Sequence, residues 1–219
     1  FGAPSAELAA IKDELGDVPL VGSIIRGVER RYPGLQQSRL IHETLRRMID
    51  AMVQDLLADL IARFGNFLTN FPAVGWLSYE SLRERADDLV MVAITGSHDG
   101  TTAVDYTVNC AVGYPAVTGH TDDPRPVNNV VPAWDLVCGQ TAALGLLAAD
   151  RHRALTGEGR LVTLALADVA LATVASLGNL AEVEVNGTER ERVGNDLYGA
   201  YGSDFPTVDG RRVMVVAIS

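Results

Sequence analysis

Asp105 is a side chain whose type and surroundings could do covalent chemistry. It follows the loop from Gly96 to Gly100 and lies between Val104 and Tyr106, which would keep its carboxylate partly dry and therefore more nucleophilic. A carboxylate can attack a carbonyl carbon and hold the acyl group as an anhydride. Aspartate is also a preferred residue just before a helix, so Asp105 could instead cap a helix that begins at Tyr106. The residues taken alone favour the cap.

A second chemical feature is the glycine-rich stretch from Gly194 to Gly202. Developing oxyanions need N–H donors, and glycine presents its backbone N–H without obstruction by a side chain. Residues that need unusual backbone freedom or offer amide groups recur here, namely Gly194, Asn195, Gly199 and Gly202. The stretch predicts a loop that closes over a reacting group, with an ordinary loop between elements as the alternative.

Other reaction classes lack their motifs. His42-Glu43 does not continue into a zinc-protease motif, because position 46 is Arg. No GxSxG elbow is present for a serine nucleophile. Gly157-x-Gly159 follows a predicted helix and precedes a strand, which is the wrong order for a dinucleotide fingerprint. The remaining histidines have no ligand spacing: His98, His120 and His152.

Composition excludes several kinds of partner. The chain has 219 residues and a formal net charge of −10, so a phosphate backbone is repelled and nucleic acid is not expected as a partner. No apolar run is long enough to span a bilayer, so no membrane contact is expected. Cys110 and Cys138 have no CxxC spacing and predict buried thiols in a reducing compartment. With no signal peptide visible, we expect a cytoplasmic protein.

The elements that must position these residues alternate between strand and helix after about Asn66. The run from Leu89 to Thr95 is continuously apolar and β-branched, which predicts a buried parallel strand. A helix is predicted over residues Trp134 to Leu155, a strand over Arg160 to Leu166, and an alanine-rich helix over Asp168 to Leu180. Strands that alternate with helices indicate an α/β layer.

Shorter patterns complete this part of the chain. Ser78 is placed to cap a short helix, and the region from Asp105 to Val117 is ambiguous. The chain becomes a Gly- and Asn-rich loop from Glu182 onward. Thr207 to Gly210 predicts a turn before a last strand over Val213 to Ile218.

The first 64 residues predict helices instead. A short helix is expected from Ala6 to Leu15, and Pro33-Gly34 marks a break. From Leu40 to Ile61, apolar residues recur at spacings of three and four along one helix. Its polar face mixes acids with Arg, which favours a core or partner-helix contact over a membrane anchor. The segment from Arg39 to Asp59 faintly resembles helical parts of HD-type nucleotide triphosphohydrolases.

Five passages after Asn66 resemble the class III CoA-transferase family, of the CaiB/BaiF type, in the family's order. They are Asn70-Phe71-Pro72; Ala93-Ile94-Thr95-Gly96; the unit from Leu144 to Val162; Leu164 to Ala170; and Arg192-Val193-Gly194-Asn195 with Tyr201 and Asp209 to Val213. Within the family, the passages around Asp105-Tyr106, Gly113-Tyr114-Pro115 and Gly194 to Ala200 resemble the branch that isomerises 2-methylfumaryl-CoA (mesaconyl-CoA).

The resemblance implies site residues. Asp105 would be the catalytic aspartate, which favours catalysis over the cap. The residues that would contact coenzyme A are Asn70, Phe71, Gly96, Gly194, Asn195 and Gly199. The ring of Phe71 would stack on adenine, but the family's Arg before Pro72 is absent, so a plain turn there is an equal alternative. No metal and no permanently bound cofactor is implied, since coenzyme A is part of the substrate.

The resemblance also implies a fold and an activity. The fold would be α/β, a partial Rossmann-like CoA-transferase family III fold preceded by an α-helical segment. The enzyme would move coenzyme A on an acyl-CoA through an aspartyl anhydride and an aspartyl-CoA thioester, as a 1,4-shift on 2-methylfumaryl-CoA. An intermolecular acyl-CoA:carboxylate CoA-transferase, an α-methylacyl-CoA racemase and a non-catalytic truncated or fused remnant are the alternatives. Family members form interlocked dimers, so a homodimer is implied.

Three regions are expected along the chain. Residues 1–64 form a helical segment of uncertain origin, residues 65–183 a partial large α/β domain, and residues 184–219 the start of a small domain. The start at Phe1 and the apolar end from Val213 to Ile218 indicate a fragment.

Overall fold

The structure is a computed structural model, and it describes residues 30–31 and 39–217. The chain divides into two units, with the boundary between Arg63 and Phe64. Helix α1 (Arg39–Phe64) confirms the long predicted helix. The helix expected over Ala6 to Leu15 and the break at Pro33-Gly34 lie outside the described residues. The three-region division stays a prediction.

A parallel sheet forms the centre of the second unit. Its strands are β1 (Asn66–Thr69), β2 (Val90–Thr95) and β3 (Arg160–Ala165), in the order β1-β2-β3. Both neighbours pair with β2 in parallel. The first three residues of β2 are fully buried, as expected for a parallel strand that is covered on both faces. The predicted buried parallel strand is therefore confirmed.

Helices join the strands. The short α2 (Tyr79–Arg83) precedes β2, and the Ser78 hydroxyl caps it by accepting a hydrogen bond of 3.2 Å from the Ser81 N–H. Between β2 and β3 lie α3 (Asp105–Ala111), α4 (Tyr114–Val117) and α5 (Ala133–Thr156). The ambiguous region from Asp105 to Val117 is thus helical, and the long helix expected from Trp134 is confirmed.

One buried apolar cluster holds α3, α5 and α6 (Leu166–Ser176) together. Its members are Val108, Trp134, Cys138, Leu166, Val169, Ala170 and Val174. Because α6 begins directly after β3, this cluster fixes the first turns of α5 and α6 beside the carboxyl ends of the strands. That edge of a parallel sheet is where α/β proteins bind ligands.

Two glycines let α5 end and β3 begin against β2. Gly157 has a φ of 75°, and its N–H donates to the Arg153 carbonyl, which ends the helix with a left-handed residue. A Cβ atom on Gly159 would lie 2.2 Å from the Leu89 carbonyl oxygen. The segments before β3 and before β2 can therefore lie this close only because position 159 has no side chain.

The region after α6 differs from the prediction. The helix expected to continue to Leu180 stops at Ser176, because Gly178 adopts a φ of 80° and starts a new helix, α7 (Asn179–Asn186). The predicted loop from Glu182 is therefore wrong as far as Asn186. Beyond it, β4 (Tyr201–Pro206), which was not predicted, pairs in antiparallel fashion with β5 (Arg212–Ala217).

In the part of the chain that the structure describes, no single helix is both long and apolar enough to cross a membrane. Only α6 and α7 pass that test together, and they are bent by 63°.

Candidate active site

A cavity of about 750 Å³ opens at the carboxyl edge of the parallel sheet. It is lined by the residues that follow β1, by the end of β2 and the loop after it, and by the first turns of α5 and α6. Several elements therefore contribute side chains and backbone to one concave site, as expected for a ligand site of this fold class.

Three of the predicted coenzyme A contacts line this cavity, namely Asn70, Phe71 and Gly96. The ring of Phe71 is 73% exposed, so an aromatic face is available to a ligand. Gly96 has a packing reason as well, because a Cβ atom there would lie 2.0 Å from the Ala103 N. Its bare backbone lets the loop after β2 fold back onto the strand end.

Asp105, the predicted nucleophile, is 2% exposed and is not among the residues that line the cavity. Its Oδ2 accepts hydrogen bonds from the N–H of Trp134 at 2.7 Å and of Asp135 at 3.2 Å. These donors belong to the first turn of α5, where a helix leaves N–H groups without an internal partner. Asp105 thus caps α5. It does not cap the predicted helix that begins at Tyr106, because Asp105 is itself the first residue of α3.

Asn109 extends the same contact one helical turn further along α3. It is fully buried, and its Oδ1 accepts hydrogen bonds from the Trp134 Nε1 at 3.0 Å and from the Asn129 Nδ2 at 3.3 Å. Its Nδ2 donates to the Asn128 Oδ1 at 2.8 Å. Asp105 and Asn109 together therefore hold the backbone and the indole of Trp134, and with them the start of α5.

Asp135 is the carboxylate that lines the cavity, and it is exposed. It lies in the first turn of α5, where the partial positive charge of a helix N-terminus favours an anion. Sequence reasoning missed it. The available signal was an acidic residue followed four positions later by a glycine inside the clearest predicted helix, which puts both on one face.

Cys138 lines the cavity on the next turn of α5. Burial raises the pKa of its thiol above the ordinary value, and the negative charge of Asp135 raises it further. The thiol is therefore held protonated and is a poor nucleophile at neutral pH.

The other three predicted contacts, Gly194, Asn195 and Gly199, do not line the cavity. A Cβ atom on Gly194 would lie 3.7 Å from the His120 Nδ1, so this segment borders the loop after α4. Arg192 fixes it there by donating to the Ala116 carbonyl at 2.6 Å and to the Pro124 carbonyl at 3.1 Å. Their contact with coenzyme A stays a prediction.

Among the described residues, no group of three or more His, Cys, Asp or Glu side chains is arranged to hold a metal ion. The polar groups at the cavity are carboxylate, hydroxyl, amide and backbone groups, which suit an organic ligand.

A parallel α/β layer with a cavity at its carboxyl edge is an arrangement in which many enzymes bind their ligands. The model of CoA-transferase family III matches residues 51–219, and the chain belongs to that family. Over 170 residues it is 56% identical to the 2-methylfumaryl-CoA isomerase of Chloroflexus aurantiacus, which covers 76% of this chain and 42% of that protein. The chain thus spans less than half the length of this relative.

The fold agrees with this membership. The crystal structure of a CaiB/BaiF family protein from Brucella suis matches with a TM-score of 0.62 and 24% identity, over 72% of this chain and 43% of that one. The partial family III fold expected from the sequence is thereby confirmed.

A second kind of relative matches a smaller part of the chain. A deoxyguanosinetriphosphate triphosphohydrolase-like protein from Parvibaculum lavamentivorans is 43% identical over 84 residues, which is 29% of this chain and 21% of that protein. The segment from Arg39 to Asp59 was likewise expected to resemble a nucleotide triphosphohydrolase.

Proposed function

We propose that this chain carries the acyl-handling site of a family III CoA-transferase, with Asp135 as the nucleophile. The observation that carries the proposal is that Asp135 is the exposed carboxylate on the cavity wall, whereas Asp105 is buried and hydrogen bonded to the helix that carries Asp135. A nucleophile must come within about 3–3.5 Å of the reacting carbon, and an exposed carboxylate on the cavity wall meets this condition more directly than a buried one.

The reaction divides into balanced acyl transfers. The Asp135 carboxylate attacks the thioester carbonyl, the carbon–sulfur bond breaks, and coenzyme A leaves as a thiolate while a mixed anhydride forms. The thiolate then attacks the Asp135 carbonyl and releases the substrate carboxylate, so that coenzyme A is held on the enzyme. The acceptor carboxylate attacks this thioester, and the released thiolate attacks the acceptor carbonyl, which restores Asp135.

The substrate proposed is 2-methylfumaryl-CoA, whose two carboxyl groups allow donor and acceptor to be the same molecule. The support is the 56% identity to a protein of that name. Asp105 and Asn109 act as positioning residues, because both bind Trp134, the residue before Asp135. Phe71 and Asn70 are proposed to contact the nucleotide end of coenzyme A. The segment from Gly194 to Gly202 is proposed to close the site. The enzyme is proposed to be a cytoplasmic homodimer.

A second candidate is a fused, non-catalytic remnant. The observation in its favour is the match to a deoxyguanosinetriphosphate triphosphohydrolase-like protein over 29% of the chain, beside the match of CoA-transferase family III to residues 51–219. In that case the cavity is present but supports no reaction.

The test is product analysis after incubation of the purified chain with 2-methylfumaryl-CoA and an isotope-labelled free dicarboxylate. We expect the positional isomer of the thioester without label, and no isomer from the Asp135→Asn variant. Labelled thioester would instead indicate an intermolecular CoA-transferase. A separate incubation with one enantiomer of a saturated 2-methylacyl-CoA tests the racemase, which would alter the configuration at the α-carbon. A folded chain that forms no product would favour the remnant.

A further inference from the structure

Gly139 is a glycine inside α5 for which neither the backbone nor the packing gives a reason. Its φ is that of an ordinary helix, because it is not among the described glycines with positive φ. A Cβ atom on Gly139 would meet no heavy atom of the described residues within 4 Å. Glycine in a helix interior lowers stability relative to alanine. Gly139 therefore destabilises α5, and neither its φ nor its packing against the described residues explains its presence.

The other glycines near this site show the contrast. In the same helix, a Cβ atom on Gly145 would lie 3.1 Å from the Val162 Cγ1, so close packing against β3 explains that glycine. At Gly96 and Gly159, backbone atoms occupy the space that a side chain would need. Gly139 faces open space instead, and that space is the cavity.

Helix geometry sets what a side chain at position 139 would cover. Gly139 follows Asp135 by four residues, so the two lie on one face of α5. The Cα–Cβ bond in a helix is tilted toward the N-terminus, and a side chain covers the turn before its own Cα. A side chain at position 139 would therefore lie over the turn that carries the Asp135 carboxylate.

We propose that Gly139 is a specificity-determining residue that keeps a bare patch of helix backbone beside Asp135, against which the acyl thioester of the substrate rests. This rests on the proposed function, since it places the acyl group, and not the nucleotide, at this patch. The thioester can approach the carboxylate side-on only if nothing larger than hydrogen stands there. Enlarging position 139 closes the approach while leaving the apolar cluster under α5 untouched.

The test measures binding and reaction separately. Gly139→Ala and Gly139→Val are compared with Gly145→Ala, a substitution in the same helix that lies outside the cavity. Calorimetry with a non-reactive thioether analogue of the acyl-CoA reports access to the patch, and the rate of adduct formation with the thioester reports the reaction.

We expect Gly139→Ala to unfold at the same or a higher temperature than the parent chain while it binds the analogue about tenfold more weakly, and Gly139→Val to bind more weakly still. Gly145→Ala should keep the parent affinity. Parent affinity in both Gly139 variants would overturn the inference, as would a parent chain that does not bind the analogue. A lower unfolding temperature in Gly139→Ala would overturn it too, because the space would then be filled by protein. If the parent chain binds the analogue but forms no adduct, the proposed function fails and the inference about the patch stands.

Discussion

The first turns of α3 and α5 each carry an aspartate, and the two carboxylates meet opposite surroundings. Asp105 is 2% exposed and accepts two backbone N–H groups, whereas Asp135 is exposed and lines the cavity. The backbone of Asp135 is itself one of the donors to Asp105. One carboxylate therefore holds the helix in place, and the other lies on its surface, where we propose that it reacts.

We propose that the two carboxylates have separate roles, one in structure and one in the reaction. Both hydrogen bonds to Asp105 reach its Oδ2, and its Oδ1 is buried without a hydrogen-bond partner among the described residues, so it is burial that separates this carboxylate from a ligand in the cavity. A carboxylate on a fixed helix turn, open to a cavity, can form and break bonds without disturbing the fold. Substitutions at four positions test this division of roles, namely Gly139, Asp135, Asp105 and Trp134, and a measurement on the Cys138 thiol adds a fifth test.

The largest effect is expected for Asp135→Asn. The amide cannot form an anhydride, so turnover and adduct formation should fall by about 10³-fold or more. The free energy of unfolding should change by less than about 0.5 kcal/mol, because the side chain is exposed. Product formation and urea unfolding measure the two quantities. Full activity in a well-folded Asp135→Asn variant would contradict the assignment.

A stability effect is expected for Asp105→Ala. Loss of the acceptor leaves two N–H groups at the start of α5 without a partner, which costs about 1–3 kcal/mol. Asp105→Asn keeps an acceptor oxygen and should cost about 1 kcal/mol while it retains measurable adduct formation. Urea unfolding followed by tryptophan fluorescence gives both values. A stable Asp105→Asn variant that forms no adduct, beside an Asp135→Asn variant that still forms one, would make Asp105 the nucleophile.

A smaller effect is expected for Trp134→Phe. It removes the indole N–H that donates to the Asn109 Oδ1, which keeps its second donor from Asn129. We expect a loss of about 1 kcal/mol in stability and a slower reaction with unchanged affinity for the analogue. The chain's other tryptophan, Trp76, provides the control as Trp76→Phe. Equal effects of both substitutions would remove the positioning role from this contact.

The smallest effect concerns the Cys138 thiol. Burial and then the charge of Asp135 raise its pKa, so the thiolate forms only at a pH above the ordinary range. In Asp135→Asn the second cause is absent, and alkylation of Cys138 should begin at lower pH. Mass spectrometry of alkylated peptides measures this. Cys110 serves as the reference, because it is exposed, and the prediction that both thiols are buried is therefore wrong for Cys110 and confirmed for Cys138. An unchanged pH profile would mean that the charge of Asp135 does not affect the pKa of the Cys138 thiol.

The sequence predicted the parts of the fold that depend on local pattern. The continuous apolar run of β2, the cap at Ser78 and the long α5 follow from composition and spacing over a few residues. The break between α6 and α7 was missed, because a single positive φ at Gly178 separates two helical patterns that look continuous. The strand β4 was missed because its Gly, Ser, Asp and Pro residues are typical of turns, although the segment pairs with β5 in a hairpin.

The candidate site was harder to predict than the fold. The residues around Asn70 and Gly96 lie directly after strands, and strand ends meet at one edge of a parallel sheet, so their place at the cavity follows from the topology. The two N–H groups that donate to Asp105 lie 29 and 30 positions away along the chain, and local neighbours cannot reveal them. Choosing between two aspartates required knowing which of them the folded chain buries.

The most direct measurement of the central claim is the location of the covalent adduct. The purified chain is mixed with the acyl-CoA, the activated carboxyl is trapped with hydroxylamine, and peptides are sequenced by mass spectrometry. We predict a hydroxamate on Asp135 and an unmodified Asp105. A hydroxamate on Asp105, or thioester product formed with no modification at either aspartate, would contradict the account.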